Sequence, residues 1–185
     1  MKQKGNGKRN SKLAFVTAEA FLEVCKVLNK AIESGNTRIL TLAMATNAAF
    51  SLEMYLKCLL LLEKGHASRS HDIHDLFHAL SESTQAQLTK DHQDFVDSHS
   101  SFTVQARQTG SPNNLEELLN LGRNTFTDFR YAHERIPSKT IFGLNGLTFC
   151  VRERILKLRP DWKSALEEIA GAESVPAVQW RVSER

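Results

Sequence analysis

TRILTLAMATNAAFSLEMYLKCLLLLE, residues 37–63, is the stretch that decides the fold class. Its first half is apolar nearly all round (Leu40, Leu42, Ala43, Met44, Ala48, Ala49, Phe50), the pattern of a central helix packed on several sides. Glu53 and Lys57 stand four residues apart, the spacing of a helical ion pair. The longest uncharged run here, Ile39 to Leu52, is fourteen residues. A membrane span needs about 18–20, so a buried helix is expected and no membrane partner. Gly65 ends the segment.

The neighbouring segments are also helical in period. On the N-terminal side, Phe21, Cys25, Leu28 and Ile32 step by four, three and four along one helix face, and Gly35-Asn36 stops it. On the C-terminal side, Asp72 caps a short helix with Ile73, Leu76, Phe77 and Leu80, and Ser83 caps another with Leu88, Phe95 and Val96. Residues 98–114, with Gly110-Ser111-Pro112-Asn113-Asn114, read as a loop. An Asn cap then opens a helix expected to run to about Arg135, its core face made by Leu115, Leu118, Leu119, Gly122, Phe126 and Phe129. Asn145-Gly146 is a hairpin signal, but Leu144, Leu147, Val151, Ile155 and Leu158 form a longer helical stripe, and a helix from about Asn145 to Leu158 is the reading. Pro160 opens a last helical segment through Trp162, Leu166 and Ile169. The class is all-α: an up-and-down helical bundle of about five to seven helices.

The chain has 185 residues and a formal charge of +3. Lys2, Lys4, Lys8, Arg9 and Lys12 supply five positive charges in the first twelve residues, which leaves residues 13–185 at −2. A basic, disordered tail at 1–12, one domain at 13–171 and a C-terminal tail at 172–185 follow. A mildly acidic body means that any nucleic-acid site is local. Cys25, Cys58 and Cys150 are odd in number and set among apolar neighbours, as free thiols of a reducing compartment are. A cytoplasmic location is expected, because Glu19, Glu23 and Lys26 interrupt the first apolar segment and leave no signal-peptide core.

The sequence lacks GxGxxG, GxxxxGK[ST], GxSxG, CxxC and HExxH, which excludes Rossmann cofactors, P-loop nucleotidases and the common hydrolases. No cofactor is expected. Three polar constellations remain. His71, His74 and His78 in SHDIHDLFH lie along one helix side with Asp72 and Asp75 nearby, a spacing that ligates zinc if a fourth group joins. The apolar partners Ile73, Leu76 and Phe77 leave that side to solvent, so no metal ligands are assigned and a His-rich metal-binding bundle is the least favoured reading. On the helix after Asn114, with Leu115 at zero and 100° per residue, Arg130, Arg123, Glu134 and Thr127 fall at about 60°, 80°, 100° and 120°, a polar row beside the core. Arg130 and Glu134 are i,i+4 partners, so a carboxylate can orient a guanidinium toward phosphate. His133 falls at about 0° on the same count, against the core. The third constellation is Arg152, Arg154, Lys157 and Arg159 around Glu153; it suits a nucleic-acid backbone, although cations in a last helical turn equally complement the helix dipole.

NAAFSLEMYLKCLLLLEKG (47–65), SHDIHDLFHAL (70–80) and FRYAHE (129–134) together resemble the HEPN superfamily of helical-bundle proteins. Glu53 and Lys57 match that family's acid-then-Lys pair, and His71, Asp72 and Ile73 its His-Asp-Ile/Leu helix start. The resemblance implies a dimer of bundles in which many members are metal-independent RNases. There an Arg steadies phosphate charge and a following His assists attack by the ribose 2′-hydroxyl. The Arg-x4-6-His signature is not intact here: Arg123 meets Asp128 at i+5, and Arg130 meets His133 at i+3. Arg130-Tyr131-x-x-Glu134 forms instead the RYxxE pattern of divergent groups, and Arg123-Asn124 echoes the Arg-Asn start of the common motif.

The resemblance therefore implies Arg130, Glu134 and His133 as catalytic candidates and Arg123, Asn124 and Tyr131 as substrate-binding candidates. The expected partners are a second copy of the chain, RNA or a nucleotide, and a cognate antitoxin or other protein in a toxin, stress or phage-defence setting. The alternative is a non-catalytic protein-interaction module of the same fold.

Overall fold

A computed structural model of the protein describes residues 10–35, 39–99, 112, 114–130 and 141–164, without the side chains of residues 39, 129, 130 and 141–143. Helix α1 (Ser11–Glu33) starts because the Asn10 side chain accepts hydrogen bonds from the Lys12 and Leu13 amides at 2.9 and 3.2 Å. Helix α1 thus begins two residues before the expected domain boundary at residue 13. Gly35, at φ 90°, closes the helix in the left-handed region where glycine carries no steric penalty.

Helix α2 (Ile39–Lys64) returns antiparallel to α1. Three hydrogen bonds fix the register: Cys25 Sγ to the Met44 carbonyl (3.5 Å), Ser51 Oγ to the Ala18 carbonyl (2.8 Å) and Tyr55 OH to Glu19 Oε1 (2.6 Å). By length and composition α2 could also cross a membrane, but it packs against several other helices of the bundle. The half buried on most sides is the second, not the first: Leu52, Glu53, Tyr55, Leu56, Cys58, Leu59 and Leu60 are all enclosed, whereas Leu42 is exposed. The first half is apolar but lies at the turn end of the α1–α2 hairpin, where Leu42 and Ala43 are exposed. Hydropathy alone does not show which end of a helix the others cover.

Asp72 caps α3 (Ile73–His78), accepting from the His74 and Asp75 amides, and Ile73, Leu76, Phe77 and Leu80 are buried as expected. Helix α4 (Glu82–Ser98) is capped by Ser81 rather than Ser83. Glu63, at the end of α2, takes the Ser81 amide (3.1 Å) and the Thr84 hydroxyl, which pins the α4 start two residues earlier than expected.

The single helix expected from Asn114 to Arg135 is two helices, α5 (Leu115–Leu121) and α6 (Thr125–Arg130). Asn114 is the cap. The break falls at Gly122, the C-cap of α5, a position reserved for glycine because a Cβ would stand 2.7 Å from Leu144 Cδ1, 3.0 Å from the Leu118 carbonyl and 3.2 Å from Ile73 Cδ1. The Gly122 carbonyl leaves the helical ladder to accept from the Thr125 amide (3.0 Å).

Helix α7 (Ile141–Leu158) resolves the helix-or-hairpin question in favour of a helix and starts earlier than expected. Gly146 sits in its interior because α4 crosses there: a Cβ would lie 3.0 Å from Phe95 and 3.3 Å from His92. Leu144, Leu147, Val151 and Ile155 are buried, while Leu158 is exposed. After Pro160 a helical turn at 161–164 places Trp162 in the core, 5.2 Å from the Phe15 ring; Leu166 and Ile169 lie outside the described residues. No strand occurs among the described residues, and the architecture is an all-α helical bundle around α2. Each fully buried Leu, Ile or Phe contributes about 1.5–3 kcal/mol through removal from water. The three cysteines are free and buried, and desolvation pushes the Cys58 thiol up to about 12.

Candidate functional site

Glu53 is the most buried carboxylate described, 1% exposed, and it survives there because two partners satisfy it. Lys57, one turn on, donates to its Oε1 at 2.7 Å, and His71 Nδ1 donates to the same carboxylate at 2.9 and 3.1 Å. The His71 ring is 5.8 Å from Phe126 on α6, which is 4.9 Å from Phe50, itself edge-on to Phe21 at 4.5 Å. A ladder of rings therefore ties α1, α2, α6 and the turn before α3 to one buried carboxylate.

Arg123 lies in the turn between α5 and α6, not on a helix face. Its carbonyl accepts from the Ile73 amide (3.1 Å), and its Nε and Nη2 donate to Asp72 (2.8 Å) and Asp75 (2.9 Å). The Asp72 hydrogen bond holds the guanidinium above its ordinary pKa. Arg123 does not share a continuous helix face with Thr127, since the break at Gly122 puts it outside the phase of α6; the Arg130 and Glu134 side chains of the expected row lie outside the described residues. Two carboxylates already engage Arg123, so its first role is to lock α3 to the α5–α6 turn. Asn124 is exposed beside it, its carbonyl accepting from the Asp128 amide (2.7 Å). Arg130 ends α6, but its side chain, like Tyr131, His133 and Glu134, lies outside the described residues.

A groove of ≈ 540 Å³ opens beside the buried carboxylate, between the first turns of α1, the second half of α2 and the turn before α3. Lys57, Arg69 and His71 line it together with Thr17 and Met54. Arg69 is exposed and has no ion-pair partner among the described residues. Sequence reasoning missed Arg69; the available signal was a lone cation in the short turn between Gly65 and the His-Asp-Ile helix start.

The histidines of SHDIHDLFH divide. His71 belongs to Glu53, whereas His74 and His78 both meet Glu116 of α5, each through Nε2 at 3.0 Å. The expected three-histidine row is thus a two-histidine pair, joined by a carboxylate about forty residues away that no local pattern announces. Desolvation pushes the Glu116 pKa up, but hydrogen bonds and charge from His74 and His78 outweigh it and hold it below the ordinary glutamate value.

Two of the four cations at the end of α7 are spent on internal contacts. Arg152 donates to Glu19 (2.7 and 3.3 Å) and to Glu153 (2.9 Å). Arg159 pairs with Asp161 and lies 4.5 Å over the Trp162 ring. The dipole-and-packing account describes this helix end better than a nucleic-acid grip.

Compared with protein-family models, curated proteins and solved structures, the chain matches none.

Proposed function

We propose that this chain is a HEPN-like protein that works as a cytoplasmic homodimer and binds RNA or a nucleotide, in a toxin, stress or phage-defence system with a cognate antitoxin or partner protein. One observation supports the reading: the acid-then-Lys pair and the His-Asp-Ile helix start, apart in sequence, meet in space, and Arg123 joins them. Glu53 and Lys57 join His71, and Asp72 joins Arg123. The groove beside them offers the exposed Arg69 to a phosphate backbone. Arg130 closes the adjacent helix; by its spacing in sequence Glu134 is the candidate carboxylate to orient it, and a twofold axis would present the pair twice. Val24, Val27 and Leu42, exposed at the hairpin end of α1 and α2, favour the second reading, a protein-interaction module.

The test is incubation of the purified protein with mixed RNA in EDTA, following both binding and cleavage, for wild type, Arg130→Ala and Glu134→Gln. Binding by wild type that Arg130→Ala weakens supports the proposal, and cleavage lost in both variants adds metal-independent nuclease activity. Absence of binding by wild type and variants alike transfers the weight to protein interaction.

A further inference from the structure

The geometry points to a second site, independent of the RNA reading: we propose that His74 Nε2, His78 Nε2 and the Glu116 carboxylate hold a first-row divalent metal ion of the zinc type. One donor atom from each of the three residues lies within 4.8 Å of the others, and the two imidazoles, at i and i+4, stand 4.3 Å apart between ring centroids, tilted by 52°. Two neutral imidazoles and one carboxylate are a ligand set that zinc accepts with a water completing the shell.

The hydrogen bonds around the ligands carry the argument beyond proximity. Gln85 donates through Nε2 to the carbonyls of His78 (3.1 Å) and Leu80 (2.9 Å), which fixes its amide so that Oε1 is the atom facing His78 Nδ1 at 3.2 Å. An amide oxygen only accepts, so His78 Nδ1 carries a proton. In the neutral ring Nε2 is then a lone pair, and it faces a Glu116 oxygen at 3.0 Å, acceptor against acceptor. A metal ion shared by ring and carboxylate satisfies both lone pairs at once. His74 points the same way. Its Nδ1 is buried without a hydrogen-bond partner and stands 3.6 Å from Asp75 Oδ1. With Nε2 bound to an ion, Nδ1 carries the proton, and a modest adjustment lets it donate to Asp75, the carboxylate–histidine–metal relay by which such ligands are oriented. Gln85 plays that part for His78.

The site is reachable. His78 and Glu116 line a cleft of ≈ 330 Å³ bounded further by Thr89 and Gln93, with room for the water ligand and for ion exchange. An ion here would brace α3 against the first turn of α5.

The experiment uses the full chain, purified without a histidine tag and stripped with EDTA, then dialysed. Zn²⁺ is titrated calorimetrically, Co²⁺ absorption is recorded in parallel, and the melting temperature is measured with and without Zn²⁺. The proposal expects one Zn²⁺ per chain, a raised melting temperature, and visible d–d bands of a low-coordinate Co²⁺ complex. His78→Ala and Glu116→Gln abolish all three, Asp75→Asn weakens binding by about tenfold, and His66→Ala behaves as wild type. Both ligand variants alter partly exposed side chains, and circular dichroism verifies that they fold. Wild type that takes up no Zn²⁺, or binding equally strong in His78→Ala and Glu116→Gln, overturns the assignment.

Discussion

Two carboxylate–histidine clusters draw on the same nine-residue motif and differ in one physical respect. Glu53 lies inside the bundle at 1% exposure, with Lys57 and His71 on it, while the Glu116 side chain is 51% exposed, with His74 and His78 on it. An enclosed carboxylate cannot be left without its partners, because no water replaces them. Such a group positions the elements that bring those partners: here α2, the turn before α3 and, through the ring ladder, α6. The exposed one loses little when it loses a partner, and is free to exchange a proton or an ion. One motif thus serves framework with its first histidine and surface chemistry with the other two.

That contrast is most strongly tested by removing the inner carboxylate. Glu53→Ala leaves Lys57, its side chain only 16% exposed, and the His71 donor without their acceptor, and the account expects a loss of about 3 kcal/mol in urea unfolding. A loss below 1 kcal/mol would put Glu53 in the same class as Glu116. Gly122→Ala comes next. Its new methyl must displace Leu144 and Ile73 and meets the Leu118 carbonyl, so about 2 kcal/mol is expected by the same measurement, and the Arg123 bridge to Asp72 and Asp75 should loosen with it, detectable as faster amide exchange at Ile73. The smallest effect belongs to Glu116→Gln in metal-free protein, under about 1 kcal/mol, since solvent screens the exposed pair. A loss as large as that of Glu53→Ala would erase the distinction.

The helical class, the Asp72 and Asn114 caps, the α3 core face and the stripe of α7 could be read from the sequence because each is local: a cap and its amides, or apolar residues at one period. The need for glycine at 122 could not, since what forbids a side chain there is Leu144 and Ile73, residues of other helices, and a helical wheel carried across the break that follows misplaces Arg123. The covered half of α2 was misjudged for a related reason, as burial there depends on which helices cross it. Of the candidate site, the Glu53–Lys57 pair was visible as an i,i+4 spacing, but its junction with His71, and that of Glu116 with His74 and His78, are long-range pairings with no periodic trace.

The most direct measurement of the central claim is the salt dependence of binding to a labelled single-stranded RNA, read by fluorescence anisotropy in EDTA for wild type, Arg69→Ala and Arg159→Ala. If the groove beside Glu53 carries the phosphate backbone, Arg69→Ala weakens binding and flattens the slope of log K against log salt concentration by about 0.7, the share of one phosphate contact, while Arg159→Ala, whose cation is engaged by Asp161 and Trp162, leaves both unchanged. Identical slopes for wild type and Arg69→Ala, or no measurable binding by wild type, would contradict the account.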